Sequence, residues 1–248
     1  MKNNIKVSIV VPCYNSEKWI RQSILSALNQ TYKNKEVIFV DNESTDNSLK
    51  IAKNIHSKFS DLKVLTAPNL YKYSWTEPVE EALKNSSGEY FTILGSDDYI
   101  KEDYIEKVVN IILKDTDKIK LLQSPILGVN SGNAEGYLGE IKHSYKSLSE
   151  FKNLLFTKSP VNTPTMIYSK KLHDNGIIRW NSKDYLGAAD YDLYFNIADK
   201  GLFIYPCPRW MGYCYRWHPG QSTWGMHKEK VDYDLVVKDV WKKKWNID

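Results

Sequence analysis

The residues best suited to chemistry lie between Gly88 and Tyr99, where a short apolar strand signal, Tyr90 to Leu94, runs into the adjacent carboxylates Asp97 and Asp98. Acids placed just after a strand sit at the carboxyl edge of a sheet, which is where open α/β folds bind ligands. Oxygen donors of this kind suit hard divalent cations such as Mg²⁺ and Mn²⁺, which usually carry substrate phosphates with them. The pair therefore reads as a metal–diphosphate site. The same acids could instead cap the helix signalled by Tyr104, Ile105, Val108, Val109 and Ile112. A second strand-like run ends in Asp41, which could accept hydrogen bonds from a base or ribose or merely start a turn. A third acid, Asp190, opens a helical pattern. An aspartate is favoured there as an N-cap, and the helix dipole also stabilises its ionised form.

These acids need a frame, and the first hundred residues supply one by alternating strand and helix signals. Val7 to Val11, Glu36 to Val40, Lys63 to Leu65 and Tyr90 to Leu94 read as strands. The first is followed by a helix capped by Asn15 or Ser16, the second by a helix capped by Ser44, and the third by a helical stripe of Trp75, Val79, Ala82 and Leu83. Such alternation predicts a mostly parallel sheet flanked by helices. Beyond residue 115 the pattern loosens. Gly128 to Gly139 reads as a loop or irregular hairpin, Ser147 to Phe156 as a helix, and Thr165 to Tyr168 as a strand. Asp190 to Lys200 is a helix stopped by Gly201, Leu202 to Tyr205 a strand, and Lys230 to Trp245 a last helix.

The 248 residues suit one domain, and 17 Tyr and 8 Trp exclude a disordered chain. A net charge of +4 fits an anionic ligand or membrane surface and gives no case for nucleic acid, which asks for a concentrated basic face. Cys13, Cys207 and Cys214 are odd in number and lack CxxC spacing, so neither a zinc site nor a disulfide framework is expected, and a reducing cytoplasm is. The apolar run at Val7 to Val11 is too short for a signal peptide, and no stretch nears the roughly 20 residues of a spanning helix. A soluble or peripheral protein is expected. Lys242, Lys243 and Lys244, flanked by Trp241 and Trp245, read either as a solvated helix end or as a contact with the cytoplasmic face of a membrane.

Four segments bring the candidates together: Val10-Val-Pro-Cys-Tyr-Asn15, Val40-Asp-Asn-Glu-Ser-Thr-Asp46, Leu94-Gly-Ser-Asp-Asp98 and Gly187-Ala-Ala-Asp-Tyr-Asp-Leu193. With Tyr215-Arg-Trp-His-Pro-Gly220 they resemble, in order and spacing, the motifs of glycosyltransferase family 2, the inverting enzymes of the GT-A nucleotide-sugar fold. The resemblance runs from about residue 5 to 223. It implies an α/β fold of GT-A type: one domain with a central, mostly parallel mixed sheet flanked by helices. It implies a catalytic domain over 1–225, with a nucleotide-sugar half at 5–115 and an acceptor half at 116–225, and a helical tail at 226–248.

By the same resemblance Pro12, Tyr14 and Asp41 line the nucleoside pocket, and Asp97 is the metal-binding acid. Asp190 is the base that deprotonates the acceptor, Arg216 and His218 close over the diphosphate, and His218 is an extra metal ligand. The implied cofactor is Mn²⁺ or Mg²⁺. The implied partners are a nucleotide diphosphate sugar, expected to be a UDP-sugar, and a glycan or lipid-linked glycan acceptor in glycan or polysaccharide biosynthesis. Gly95 stands where the family has the first acid of its DxD motif, Ala189 where it has Glu, and Tyr71-Lys-Tyr-Ser-Trp75 where many members are rich in Asn and Gly. These departures keep open the alternative of a degenerate, non-catalytic nucleotide- or carbohydrate-binding member. A nucleotidyltransferase is disfavoured, because Pro12-Cys-Tyr-Asn15 carries neither a glycine-rich phosphate loop nor a basic residue.

Overall fold

A computed structural model describes residues 4–131, 136–221, 225, 228 and 230–247. The first half follows the predicted alternation: β1 (Val7–Cys13), α1 (Ile20–Leu28), β2 (Lys35–Asp41), α2 (Ser48–His56), β3 (Leu62–Thr66), α3 (Thr76–Lys84) and β4 (Tyr90–Ile93). Then come β5 (Tyr99–Ile100), α4 (Tyr104–Ile112), β6 (Leu121–Gln123), β7 (Ile126–Asn130), β8 (Tyr137–Ile141) and α5 (Leu148–Thr157). The chain closes with β9 (Ile167–Ser169), α6 (Lys170–Asp174), α7 (Ser182–Tyr185), α8 (Ala189–Asp199), β10 (Tyr205–Pro206), β11 (Tyr213–Trp217) and α9 (Tyr233–Trp245).

β1 is apolar almost throughout because both of its faces are covered, as expected of a central parallel strand. Val7, Ile9 and Val11 pack with Ile20, Ile24, Tyr104 and Val108 from α1 and α4. Val10 turns to the other face, to Ile38, Val40, Phe91 and the side chains of α3, α5 and α8. Each buried Val, Ile or Phe contributes roughly 1.5–3 kcal/mol. The main sheet runs β10-β6-β9-β4-β1-β2-β3. The β1–β2, β1–β4, β2–β3 and β6–β10 pairs are parallel, whereas β9 runs antiparallel to β4 and β6. The chain leaves β1 toward β2 and β3 and returns on the other side as β4. The carboxyl ends of β1 and β4 therefore flank a topological switch point, where such sheets hold ligands. A second sheet, β5-β11-β7-β8, backs this edge.

Several boundaries differ from the sequence reading. Asn15, Ser16 and Ser44 do not cap the helices that follow them; α1 has no side-chain cap, and Asp46 Oδ1 accepts from Ser48 N at the start of α2 at 2.9 Å. Asn15 is left-handed (φ 49°), and its side-chain oxygen accepts from Thr45 N at 2.8 Å; Ser44 Oγ accepts from Asn15 N at 3.0 Å, and Asp46 Oδ2 from Glu17 N at 2.9 Å. The loops after β1 and β2 are thus stitched to each other, and α1 begins only at Ile20. Leu202 to Tyr205 yields just the two-residue β10, paired with β6. Gly128 to Gly139 resolves into parts of the β7–β8 hairpin, apart from residues 132–135, which lie outside the described set.

α9 is packed onto α8. Trp241 is 2% exposed, stacks on Phe195 at 5.6 Å, and donates its indole N–H to Asp192 at 2.7 Å. Trp245 donates to Asp199 at 2.9 Å, and Lys244 lies 3.9 Å from the centre of the Trp241 ring. The tryptophans that suggested a membrane contact are therefore engaged within the fold. Among the described residues no helix is long and apolar enough to cross a membrane.

At the opposite sheet edge Glu36 ties β2 to the loop before β4. Its carboxylate accepts from Ser8 Oγ (2.8 Å), Ser87 N (2.6 Å) and Lys63 Nζ (2.9 Å). Burial pushes this carboxyl up, but the three hydrogen bonds outweigh it and hold it at about 2. A lowered carboxyl stabilises the fold above the unfolded value and loses that contribution as pH falls through the folded one. Glu36→Gln is expected to cost on the order of 1–3 kcal/mol at pH 7 and little at pH 2. Urea melts at the two pH values check this; an equal loss at both would refute the ionic account.

Candidate active site

The carboxyl ends of β1, β2 and β4 open into a cleft of about 1280 Å³. Pro12, Tyr14, Asn42, Gly95, Asp97, Thr163, Pro164 and His218 are among the residues that line it. Tyr14, 51% exposed, presents its ring at the rim.

Asp41 lies just beneath this surface, beside Cys13 in the β1–β2 register and 2% exposed. Its Oδ2 accepts from Ser44 N at 3.0 Å, whereas Oδ1 is buried with no hydrogen-bond partner. A buried, unsatisfied acceptor carries a desolvation penalty of about 1–3 kcal/mol or more, which a donor N–H reaching it past the cleft-lining Cys13 and Asn42 would relieve.

Asp97 and Asp98, alike in sequence, differ in role. Asp98 is buried; Tyr213 Oη donates to its Oδ2 and Arg216 N to its Oδ1, both at 2.8 Å. Burial, and then the charge of Asp97, push the Asp98 carboxyl well above the usual range against these two donors. Asp98 therefore anchors the strand-end loop to β11. Asp97 stays 27% exposed, and its Oδ2 lies 2.9 Å from His218 Nε2. That separation is close to that of adjacent ligands on an octahedral ion with bonds of about 2.1 Å. A carboxylate oxygen and an imidazole nitrogen side by side, facing phosphate-sized space, fit a divalent cation completed by ligand oxygens and water. Among the described residues no cluster of three or more His, Cys, Asp or Glu stands ready as a closed metal site.

Arg216 does not face the cleft as expected. Its guanidinium donates to the Asp97 carbonyl (3.0 Å) and to Gln22 Oε1 (2.7 Å), and its carbon sits 4.3 Å from the centre of the Trp19 ring. Only 5% of the residue is exposed. A planar, weakly hydrated cation suits such a stacked, buried position. Arg216 braces the Asp97 loop from behind, and a charged residue type in a sequence carries no sign of which way it points.

Asp190 opens α8, where Thr163 Oγ1 donates to its Oδ2 at 2.6 Å. Burial pushes this carboxyl up; the Thr163 hydrogen bond opposes it and the Asp234 charge adds to it, for a value of about 6. Such a group is ionised at neutral pH yet basic enough to take a proton. Asp190 is itself partly exposed and is hydrogen-bonded to Thr163, which lines the cleft. Thr163 and Gln22, which carry no signal in the sequence, hold the predicted residues in place together with the aromatic residues Trp19 and Tyr213. Only a fold could reveal them, since each partner is distant in the chain.

The model of the family described as "Glycosyl transferase family 2" matches residues 8–176, well over half the chain. The chain belongs to that family. An uncharacterized glycosyltransferase of Haemophilus influenzae is 31% identical over 216 residues, which are 83% of this chain and 64% of that protein. The chain thus spans less than two thirds of that relative's length. WfaP of Escherichia coli, a UDP-Glc:alpha-D-GlcNAc-diphosphoundecaprenol beta-1,3-glucosyltransferase, is 27% identical over 242 residues, or 94% of this chain and 86% of that protein. The structure of TarS 1–349 from S. aureus with UDP-GlcNAc superposes with a TM-score of 0.73 at 23% identity, covering 96% of this chain and 66% of TarS. That likeness shows the GT-A fold.

In this family 2 chain the departures from the usual motifs are built into the packing. A Cβ at Gly95 would lie 2.8 Å from Asp98 Oδ2 and 3.0 Å from Asp97 Oδ1, so the two remaining acids fill the space of the missing one. Ala189 is fully buried, and a glutamate there would have to bury its carboxylate. Lys72, Tyr73, Ser74 and Trp75 line the cleft in place of the Asn- and Gly-rich segment, with the Tyr73 ring against Gly225.

Proposed function

We propose that this chain transfers a sugar from a UDP-sugar to an acceptor hydroxyl, with inversion at the anomeric carbon, in the assembly of a glycan or polysaccharide on the cytoplasmic side of the membrane. The observation that carries the reading is the gathering of three devices in and beside one cleft. These are an unsatisfied acceptor for a base at Asp41, a cation-fitting pair at Asp97 and His218, and a carboxyl of proton-accepting strength bonded to Thr163.

Residues 5–115 serve the donor. Pro12 and Tyr14 wall the nucleoside, and Asp41 Oδ1 takes a hydrogen bond from a ring N–H such as that of uracil. Asp97 and His218 would hold Mn²⁺ or Mg²⁺, and the mixed oxygen–nitrogen pair favours Mn²⁺ over the oxygen-demanding Mg²⁺. The ion, when bound, supplies Lewis-acid stabilisation of the departing diphosphate. Arg216 keeps the Asp97 backbone in register for that contact. Residues 116–225 serve the acceptor, whose hydroxyl proton ends on Asp190. The tail from 226 adds α9, which secures α8 and so the position of Asp190. A uridine donor is supported by what WfaP is named for and by what TarS was crystallised with. Cys13, Cys207 and Cys214 are buried, and thiols kept inside the fold suit a reducing compartment.

A panel of UDP- and GDP-sugars incubated with the protein and Mn²⁺, without acceptor, tests the reading through slow hydrolysis. Release of UDP from one donor, abolished by EDTA, is expected. A folded sample that releases nucleotide from none of them would leave a non-catalytic binding member in its place.

A further inference from the structure

Thr163 lines the cleft and is bonded to Asp190, and its hydroxyl is nearly saturated. A threonine hydroxyl offers one donor and two acceptor positions. The donor is directed to Asp190 Oδ2 at 2.6 Å, and one acceptor position takes the O–H of Tyr194 at 2.9 Å. One lone pair is left, and Thr163 is part of the cleft wall whereas Asp190 is not. An O–H entering beside this wall can therefore donate to Thr163 Oγ1, the atom already bonded to Asp190. The surroundings keep this arrangement fixed: Thr163 opens a 3₁₀ turn with Pro164 behind it, and Tyr194 is fully buried on α8. The groups facing the Asp190 carboxyl are Tyr168 from β9, Tyr191 and Tyr194 from α8, Thr163 from the turn, and Asp234 from α9.

We infer that Thr163 is a proton relay: the acceptor hydroxyl donates to Thr163 Oγ1 and its proton reaches Asp190 by a concerted double transfer. The inference rests on the transferase reading above. As the acceptor oxygen bonds to the anomeric carbon, its proton passes to Thr163 Oγ1 and the proton already there passes to Asp190 Oδ2. The bond from the anomeric carbon to the diphosphate oxygen breaks, and the leaving group keeps the electron pair. Thr163 ends as it began, and the net change is one proton on Asp190. Tyr194 holds the relay oxygen in place.

The test uses the UDP-sugar that the wild-type protein hydrolyses fastest, with water as acceptor and UDP release as readout, on Thr163→Val, Thr163→Ser and Asp190→Asn. Thr163→Val, nearly isosteric, is expected to lower kcat about 100-fold or more while the donor KM stays within about twofold. Thr163→Ser, which keeps the hydroxyl, recovers at least about tenfold of that loss. The pH limb of the residual Thr163→Val activity moves upward, because Asp190 has lost its O–H donor. A purely structural role would move the limb in the same way but raise KM and leave kcat within about threefold of wild type. If Thr163→Val does not fold, Thr163→Ala against Thr163→Ser gives the same contrast. Asp190→Asn separates the levels. If it is inactive while Thr163→Val stays within about threefold of wild type, the relay is wrong and the transferase reading stands. If Asp190→Asn is itself fully active, both fall.

Discussion

Asp190→Asn is expected to lower sugar transfer about 10³-fold while UDP binds as it does to wild type. An amide cannot take the acceptor's proton, and the substituted group is held by Thr163 on the turn before β9, not by Pro12, Tyr14 or Asp41 at the ends of β1 and β2. Binding by calorimetry and turnover by UDP release should therefore part company. Since burial holds the carboxyl at about 6, the wild-type rate should climb with pH through that value and level off above about 7. Stability should respond with the opposite sign. A carboxyl raised in the folded state favours the neutral form, so its contribution is present at low pH and lost as pH rises through about 6. Asp190→Asn removes that penalty, which solvent screens in part at this half-buried group, and should stabilise the fold by on the order of 1–2 kcal/mol at pH 8 and by nothing at pH 4. A variant that transfers sugar normally would remove Asp190 from the role of base.

The sequence carries the donor half of this site more openly than the acceptor half, for a physical reason. Val7 to Val11 and Glu36 to Val40 are buried on both faces, so they stand out as apolar runs, and the acids after them mark the ligand edge. Helix starts are less legible, because Asn15 and Ser44 satisfy a neighbouring loop instead of the helices that follow them. Arg216 was legible as a residue and not as a direction: its partners, Gln22 and the Asp97 carbonyl, lie 194 and 119 positions away. β11 hides among aromatic residues because Tyr213, Cys214 and Arg216 are all buried and give no polar alternation. Thr163 had no sequence signal at all beside Pro164; its meaning comes from Asp190 and Tyr194 arriving from a later helix.

Asp97→Ala should abolish the dependence of nucleotide binding on metal. The ion–diphosphate contact is worth several kcal/mol, so UDP affinity in Mn²⁺ should fall about 10²-fold or more and become insensitive to EDTA. The fold should survive, because Asp97 is partly exposed and its carboxylate contacts His218 at the cleft surface, while Asp98 carries the structural hydrogen bonds to Tyr213 and Arg216. The melting temperature without ligand is expected to stay within about 2 °C of wild type. UDP affinity that is unchanged and still metal-dependent would place the ion on other residues.

Thermal unfolding of the wild-type chain with UDP, in Mn²⁺ and in EDTA, tests the central claim most directly. A ligand that binds only the folded state at about 100 times its Kd adds about 2.7 kcal/mol, which for a chain of this size raises the melting temperature by roughly 5–10 °C. A shift of that size in Mn²⁺, lost in EDTA, is the predicted result. No shift in either condition, with a sharp unfolding transition, would contradict the assignment of this cleft to a metal-bound nucleotide diphosphate.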